Sequence, residues 1–258
     1  MFITTFFIFG LIIGSFLNVV ILRLYREESI TGRSRCPNCK KAIYWYDNIP
    51  IVSYLILRGK CRNCGKPISI QYPLVELATG ILFVVGYFFT LQGHLSQVTP
   101  AHLFYLALSR QFIFISLLIV IFVYDLRFYL IADIITIPGI IIALALNILL
   151  GISWSNLILA GIIGGGFFLL QYVISKGRWI GGGDIRLGIL MGAMLGFPHI
   201  LVALMLSYVF GGGLALPLLL LGKKHFGDKL PFGTFLTLGT LITIFWGDNI
   251  IRWYVNFL

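Results

Sequence analysis

The amino-acid sequence predicts an all-α polytopic membrane protein with about eight transmembrane helices and a small polar domain inserted between the first two. Three observations carry this. The chain is 59% hydrophobic and only 11% charged, whereas charged residues make up close to a quarter of a soluble domain. The apolar residues are gathered into long runs separated by short polar loops. The basic residues alternate, with 17 of the 19 Lys and Arg in every second loop, as the positive-inside rule requires of a membrane protein.

The first apolar run, Met1 to Leu22, has no basic residue before it and no small-residue cleavage site after it, which predicts a retained helix and not a signal peptide. Its length suffices for the ~30 Å of a hydrocarbon core. Further spans are expected at Tyr72 to Leu91, Leu103 to Tyr124, Asp133 to Leu150, Ser155 to Ser175, Ile185 to Phe197, His199 to Leu221 and Pro231 to Trp246. The sixth of the eight is short and rich in glycine, so it is expected to be tilted, enclosed by protein or partly reentrant.

With the amino terminus outside, the inward loops hold ten basic residues between Arg23 and Lys66, then Arg127, then Lys176, Arg178 and Arg186, then Lys223, Lys224 and Lys229. Only Arg110 and Arg252 fall on the other side. The net charge of +10 is therefore topological, and no nucleic-acid partner is expected.

Residues 23–71 form the inserted domain, between a first helix at 1–22 and a membrane domain at 72–258. It contains all four cysteines, as Cys36-Pro37-Asn38-Cys39 and Cys61-Arg62-Asn63-Cys64. Two such turns facing each other supply the four thiolates of a tetrahedral zinc site. Two disulfides are the alternative, disfavoured in a reducing cytoplasm. A closed four-sulfur site leaves no open coordination position, so the zinc is expected to be structural. Tyr44, Trp45, Tyr46, Ile49, Pro50, Ile51 and Tyr54 are expected to form its core, with some facing the membrane surface. Arg58, Lys60 and Arg62 suit a solvated surface, anionic headgroups or a ligand carboxylate.

Acidic residues are scarce, nine in all. Two of them, Asp125 and Asp184, sit where apolar helices meet the inward face. An ionisable residue there is a functional hypothesis by default, and paired carboxylates that share a proton activate water for hydrolysis. Asp184 follows three glycines, Gly181 to Gly183, which let backbone approach closely. At a helix start it suits the general base, with Asp125 as the acid. Asp133, followed by Thr136 and Pro138, reads as a helix cap.

The run Gly181-Gly182-Gly183-Asp184 resembles the GxGD signature of the type IV prepilin peptidases, which are intramembrane aspartic proteases. The resemblance extends through Gly14-Ser15-Phe16-Leu17-Asn18, both cysteine pairs, Tyr46-Asp47-Asn48-Ile49-Pro50, Arg58-Gly59-Lys60-Cys61-Arg62, Tyr72-Pro73 before Glu76, and Pro231-Phe232-Gly233. Departures are modest: Ala132 and Thr234 replace prolines and Arg186 replaces a lysine. The resemblance implies a bifunctional enzyme of the bacterial cytoplasmic membrane. Such an enzyme cuts the basic leader from prepilin, pseudopilin or competence-pilin precursors at the cytoplasmic face, with Asp125 and Asp184 as catalytic residues. It then methylates the new amino terminus from S-adenosylmethionine. No glycine fingerprint of a Rossmann site is present, so the cofactor-binding residues stay unassigned, with Asn18, Arg23 and Glu76 as candidates. Membrane lipids are the other expected partners. The competing readings are a peptidase without methyltransferase activity and a non-enzymatic transporter or sensor with a zinc domain.

Overall fold

The computed structural model describes residues 2–97, 100–222 and 230–257, and the described residues are helical apart from turns and isolated bridges. Lys223, Lys224 and Lys229, counted above among the inward basic residues, lie outside the described residues. The helices are α1 (Phe2–Tyr25), the short α2 (Val52–Ile56), α3 (Gln71–Gln97), α4 (Ala101–Phe128), α5 (Asp133–Leu149), α6 (Trp154–Ser175), α7 (Gly182–Leu195), α8 (His199–Leu220) and α9 (Phe232–Phe257). They divide into two compact units, Met1–Val98 and Thr99–Leu258.

Eight apolar helices lie where apolar runs were expected, but six of them are long and apolar enough to cross a membrane: α1, α3, α4, α6, α8 and α9. By length and composition alone, six spans stand among the described residues, fewer than the eight expected. Helix α5 has 17 residues and α7 has 14; at ~1.5 Å per residue α7 reaches about 21 Å, short of a ~30 Å core. Helix α9 runs well past the expected Trp246 to Phe257. Asp248 and Arg252 interrupt the apolar run in sequence but not the helix.

Within the first unit, α1 and α3 pack through small residues. A Cβ built on Gly10 would lie 2.7 Å from Gly80 Cα, and one on Gly14 would lie 2.7 Å from Glu76 Cα. In the second unit α6 and α7 approach in the same way: a Cβ on Gly192 would run into the Ala160 backbone, and one on Gly188 into the Gly164 carbonyl. Apolar area gives helices in hydrocarbon little reason to associate, so close backbone packing of small residues supplies the contact.

Polar groups in this interior are largely paired, Arg110 Nε being the buried side-chain atom among the described residues that has no partner. Thr237, Thr240 and Thr243 of α9 donate their hydroxyls to carbonyls three or four residues back in their own helix. Asn147, fully buried at the end of α5, donates to the carbonyls of Ala193 and Met194 at the end of α7 and accepts from Arg110 Nη1 at 3.0 Å. Arg110 therefore joins α4 to α5 at the end of α7 remote from Asp184, and its guanidinium stacks over the Phe114 ring at 5.9 Å.

The α6–α7 contact gives a direct test. Gly192→Ala places a methyl group against backbone that cannot swing away. It should lower stability by about 1–3 kcal/mol, the usual cost of overpacking, read as a reduced midpoint of thermal unfolding in detergent.

Candidate active site and metal centre

Asp125 lies in the last turn of α4, and only 4% of its surface is exposed. Sequence placed it just beyond the helix; the helix continues to Phe128 and is closed by Tyr129 in the left-handed conformation, whose N–H donates to the Asp125 carbonyl at 2.8 Å. The side chain points at the start of α9. Asp125 Oδ2 accepts the Thr234 N–H at 2.8 Å, and a Cβ on Gly233 would sit 2.9 Å from the same oxygen. This is the structural use of Pro231-Phe232-Gly233. Glycine leaves room for the carboxylate, and Thr234 supplies an N–H that a proline in its place would lack. Phe232 anchors the turn through edge-on contacts with Tyr208 at 5.2 Å and Phe168 at 6.1 Å.

Asp184 is the third residue of α7, 9% exposed. Its Oδ2 accepts the N–H of the N-cap residue Gly181 at 3.0 Å, and its own N–H donates to the Gly181 carbonyl at 3.1 Å. Asp184 is thus a helix-capping residue as well as one of the two expected carboxylates. Gly183 packs on Ile131, where a Cβ would lie 2.9 Å from the Ile131 Cβ; Ile131 Cδ1 would lie 3.1 Å from a Cβ on Gly233. One isoleucine therefore fills the space between the glycine before Asp184 and the glycine beside Asp125. The Tyr208 hydroxyl, on a ring that packs against Phe232, donates to Gln171 Oε1 at 2.9 Å. Each carboxylate thus sits at a helix amino terminus, where the helix dipole and unpaired N–H groups favour negative charge.

Asp133 departs from expectation. The cap of α5 is Ala132, with no side-chain bond, and Asp133 in the first turn forms an ion pair with Arg186 of α7. Both side chains are about half exposed. Sequence reasoning also missed Ile131, Tyr208 and Gln171, which carry no motif and are placed only by helix packing.

The four cysteines come together. Their sulfurs all lie within 4.8 Å of one another, Cys36 and Cys64 at 3.9 Å, and none is in a disulfide. A tetrahedral zinc with ~2.3 Å bonds sets its sulfurs ~3.8 Å apart, so the donor set fits that metal. The two halves repeat. Cys36 N–H bonds the Lys41 carbonyl and Lys40 N–H the Cys36 carbonyl, while Cys61 N–H bonds the Lys66 carbonyl and Gly65 N–H the Cys61 carbonyl. Lys40 and Gly65 both have positive φ, 60° and 66°, and the bridges Arg35 to Ala42 and Lys60 to Pro67 close the two turns alike. The signal was present in the sequence as a repeated Cys-x-Asn-Cys-x-Lys-x-Ile, from Cys36 to Ile43 and from Cys61 to Ile68.

Burial opposes ionisation of Cys36, but the N–H groups of Cys39 and Asn38 and the neighbouring thiols outweigh it and bring its pKa down to about 7. The Lys66 N–H favours a Cys64 thiolate, yet burial and the other three sulfurs push its pKa up to about 11. Four thiolates at this spacing call for a cation.

Other residues named from sequence are committed to structure. Asn18 Nδ2 donates to the carbonyls of Gly14 and Tyr72 and its Oδ1 accepts from Gln71. Arg23 donates to the five successive carbonyls of residues 29–33. Glu76, 6% exposed, accepts the Ile51 N–H at 2.8 Å instead of pairing with a basic residue. Arg62 grips Asp47 through Nε and Nη2 at 2.6 to 3.1 Å. Tyr44, Trp45, Tyr46 and Ile49, expected in the core of the cysteine domain, are exposed.

The arrangement defines a class: a helical membrane protein with two carboxylates at the edge of its apolar interior and a four-cysteine module in its amino-terminal half. Two family profiles match, Bacterial Peptidase A24 N-terminal domain over residues 8–90 and Type IV leader peptidase family over residues 112–216. The chain belongs to the type IV leader peptidase family. Relatives named prepilin leader peptidase/N-methyltransferase include one from Aeromonas hydrophila, 33% identical over 98% of this chain and 93% of that protein. Another, from Bacillus subtilis, is 34% identical over 97% and 96%, and one from Legionella pneumophila is 32% identical over 97% and 93%. No solved structure matches the chain.

The Asp133–Arg186 pair yields a prediction that separates it from the other two aspartates. Asp133→Asn removes an exposed ion pair worth ~0–1 kcal/mol and touches neither Asp125 nor Asp184. Unfolding in detergent should shift by no more than that, and catalytic turnover should stay within a fewfold of the unsubstituted protein.

Proposed function

We propose that the protein is an intramembrane aspartic endopeptidase that removes the basic leader of type IV prepilin-like precursors, with Asp125 and Asp184 as its catalytic pair. The observation that carries this reading is the convergence of two buried carboxylates, each at a helix amino terminus and each beside a glycine-lined approach, in a chain of this family. One carboxylate takes a proton from water while the other protonates the scissile carbonyl oxygen, giving a tetrahedral diol. The proton then passes to the amide nitrogen, the C–N bond breaks, and a leader carboxylate and a new pilin amino terminus leave. Asp184, which itself belongs to the first turn of a helix, is assigned the base and Asp125 the acid; the roles exchange during turnover. Backbone at the cleavage site must leave its helix first, since its carbonyls and N–H groups are otherwise bonded to one another.

The second activity, N-methylation of the new terminus, rests on the names of the relatives, and S-adenosylmethionine is the methyl donor it implies. Residues 23–71 form a zinc domain in which Cys36, Cys39, Cys61 and Cys64 hold a structural metal. Positive-inside asymmetry supports a bacterial cytoplasmic-membrane protein with its amino terminus outside and both the zinc domain and the aspartates at the cytoplasmic face.

Parity supports eight crossings. Ile131, just before α5, packs on Gly183 at the start of α7, so the chain leaves this face and returns to it through α5 and α6. Thr234, at the start of α9, bonds Asp125, so α7 and α8 likewise go out and back. If α6 and α8 cross, the shorter α5 and α7 cross with them.

Incubation with a prepilin and S-adenosylmethionine, followed by mass spectrometry of the product terminus, tests both activities. Asp125→Asn and Asp184→Asn keep the shapes of their side chains, and asparagine still accepts the capping N–H. Each should lower cleavage by at least 10² to 10⁴-fold, roughly 3–5 kcal/mol of barrier. Both should retain metal and still methylate a precleaved pilin. A folded variant of either that cuts at the original rate removes the assignment.

The metal makes its own prediction. X-ray absorption of the purified protein should show zinc in a shell of sulfur at ~2.3 Å. Cys36→Ala should release the metal and loosen residues 34–68 to proteolysis while α1 and α3 stay paired.

A further inference from the structure

Outside the membrane-length helices the cysteine module carries an apolar surface that the fold does not cover. Val52, Leu55 and Ile56 stand at positions i, i+3 and i+4 of α2, the spacing of a single helix face, and they are 48%, 67% and 69% exposed. Trp45 in the adjoining 3₁₀ turn is 80% exposed. In a water-soluble domain this face would turn inward. Here it turns outward, next to the exposed basic residues Arg58 and Lys60.

The height of this surface is set by two contacts. Both ends of the module join helices long enough to span a membrane, α1 and α3, which pack side by side. Ile51, immediately before α2, is tied through its N–H to Glu76 in the second turn of α3. Ile51 holds φ 61° and ψ −50°, a conformation that a β-branched residue adopts only under constraint. That bond holds α2 beside the second turn of α3, near the start of the stretch that is long and apolar enough to cross a membrane. Arg62, held by Asp47, is taken up within the module and keeps the second cysteine turn against the 3₁₀ turn.

We propose that Trp45 and the Val52, Leu55 and Ile56 face of α2 dock into an anionic phospholipid surface, with Arg58 and Lys60 at headgroup level. Three features select lipid as the occupant. Tryptophan and aliphatic side chains beside Arg and Lys are the composition of an interfacial segment. The basic residues complement anionic headgroups, with which each contributes favourably near the surface. The tether to α3 brings the face to the bilayer without any partner protein. The proposal rests on the membrane reading of α1 and α3 and is independent of the protease assignment.

The test keeps Trp45 as the only tryptophan by Trp154→Phe, Trp179→Phe, Trp246→Phe and Trp253→Phe in the full chain. The protein is reconstituted in nanodiscs of phosphatidylcholine with and without phosphatidylglycerol. Lipid brominated near the carboxyl end of its acyl chain should quench Trp45, aqueous acrylamide should not, and quenching should strengthen with phosphatidylglycerol. Leu55→Asp with Ile56→Asp should abolish the lipid quenching. Arg58→Gln with Lys60→Gln should abolish only the increment from phosphatidylglycerol, with metal content unchanged in both. Trp45 open to acrylamide and untouched by brominated lipid overturns the proposal. So does Trp45 screened from both quenchers, which means that protein covers the face. Equal quenching with and without phosphatidylglycerol overturns the anionic assignment. The measurement on the unsubstituted face decides the matter even if a charged variant fails to fold.

Discussion

Holding two carboxylates at the rim of hydrocarbon is the constraint on which the second unit is built. An unpaired charge there is costly, and no lysine or arginine neutralises Asp125 or Asp184 among the described ion pairs. Helix amino termini take that part. Asp125 receives the Thr234 N–H at the start of α9 and Asp184 the Gly181 N–H at the start of α7. A basic partner would fix each carboxylate in its charged form, which suits an ion pair and not a proton shuttle. Backbone N–H groups stabilise charge on Oδ2 of each carboxylate without supplying a competing proton, as the proposed acid–base role requires.

The glycines follow from the same constraint. Gly183 lets the start of α7 sit on Ile131, and Gly233 lets α9 begin directly against Asp125. A methyl group on Gly233 would meet the Asp125 carboxylate and one on Gly183 would meet Ile131, so either would displace a helix start. The α6–α7 contact through Gly164, Gly188 and Gly192 extends this along the whole of α7, which explains how a helix of 14 residues is held so deeply among longer ones.

Much of this was legible in the sequence, for physical reasons that differ from element to element. Long apolar runs announce helices in a membrane because a helix satisfies its backbone hydrogen bonds within one segment, whereas a closed barrel needs short alternating strands. Cys36, Cys39, Cys61 and Cys64 were legible because their spacing is set by metal geometry, and Asp125 and Asp184 because charge is rare in such a chain. What was not legible depends on contacts distant along the chain. Thr234 meets Asp125 across 109 positions, and Asp133 turns from capping α5 to pairing with Arg186. Tyr44, Trp45, Tyr46 and Ile49 are exposed where most of that group was expected in a core, because composition alone cannot tell an apolar core from an apolar contact surface. The helix of the last span continues past Trp246 to Phe257, and Asp248 on it reaches His199 at 2.9 Å.

Arg23 closes α1 with its guanidinium spread over five consecutive carbonyls of residues 29–33. Those bonds draw the residues after the helix back over its last turn, so the linker is held by a side chain of the helix it follows. The carbonyls are neutral, so the positive charge is kept and stays partly open to its surroundings. A lysine in its place would bring three donors to five acceptors, and part of the same loop would be left unheld.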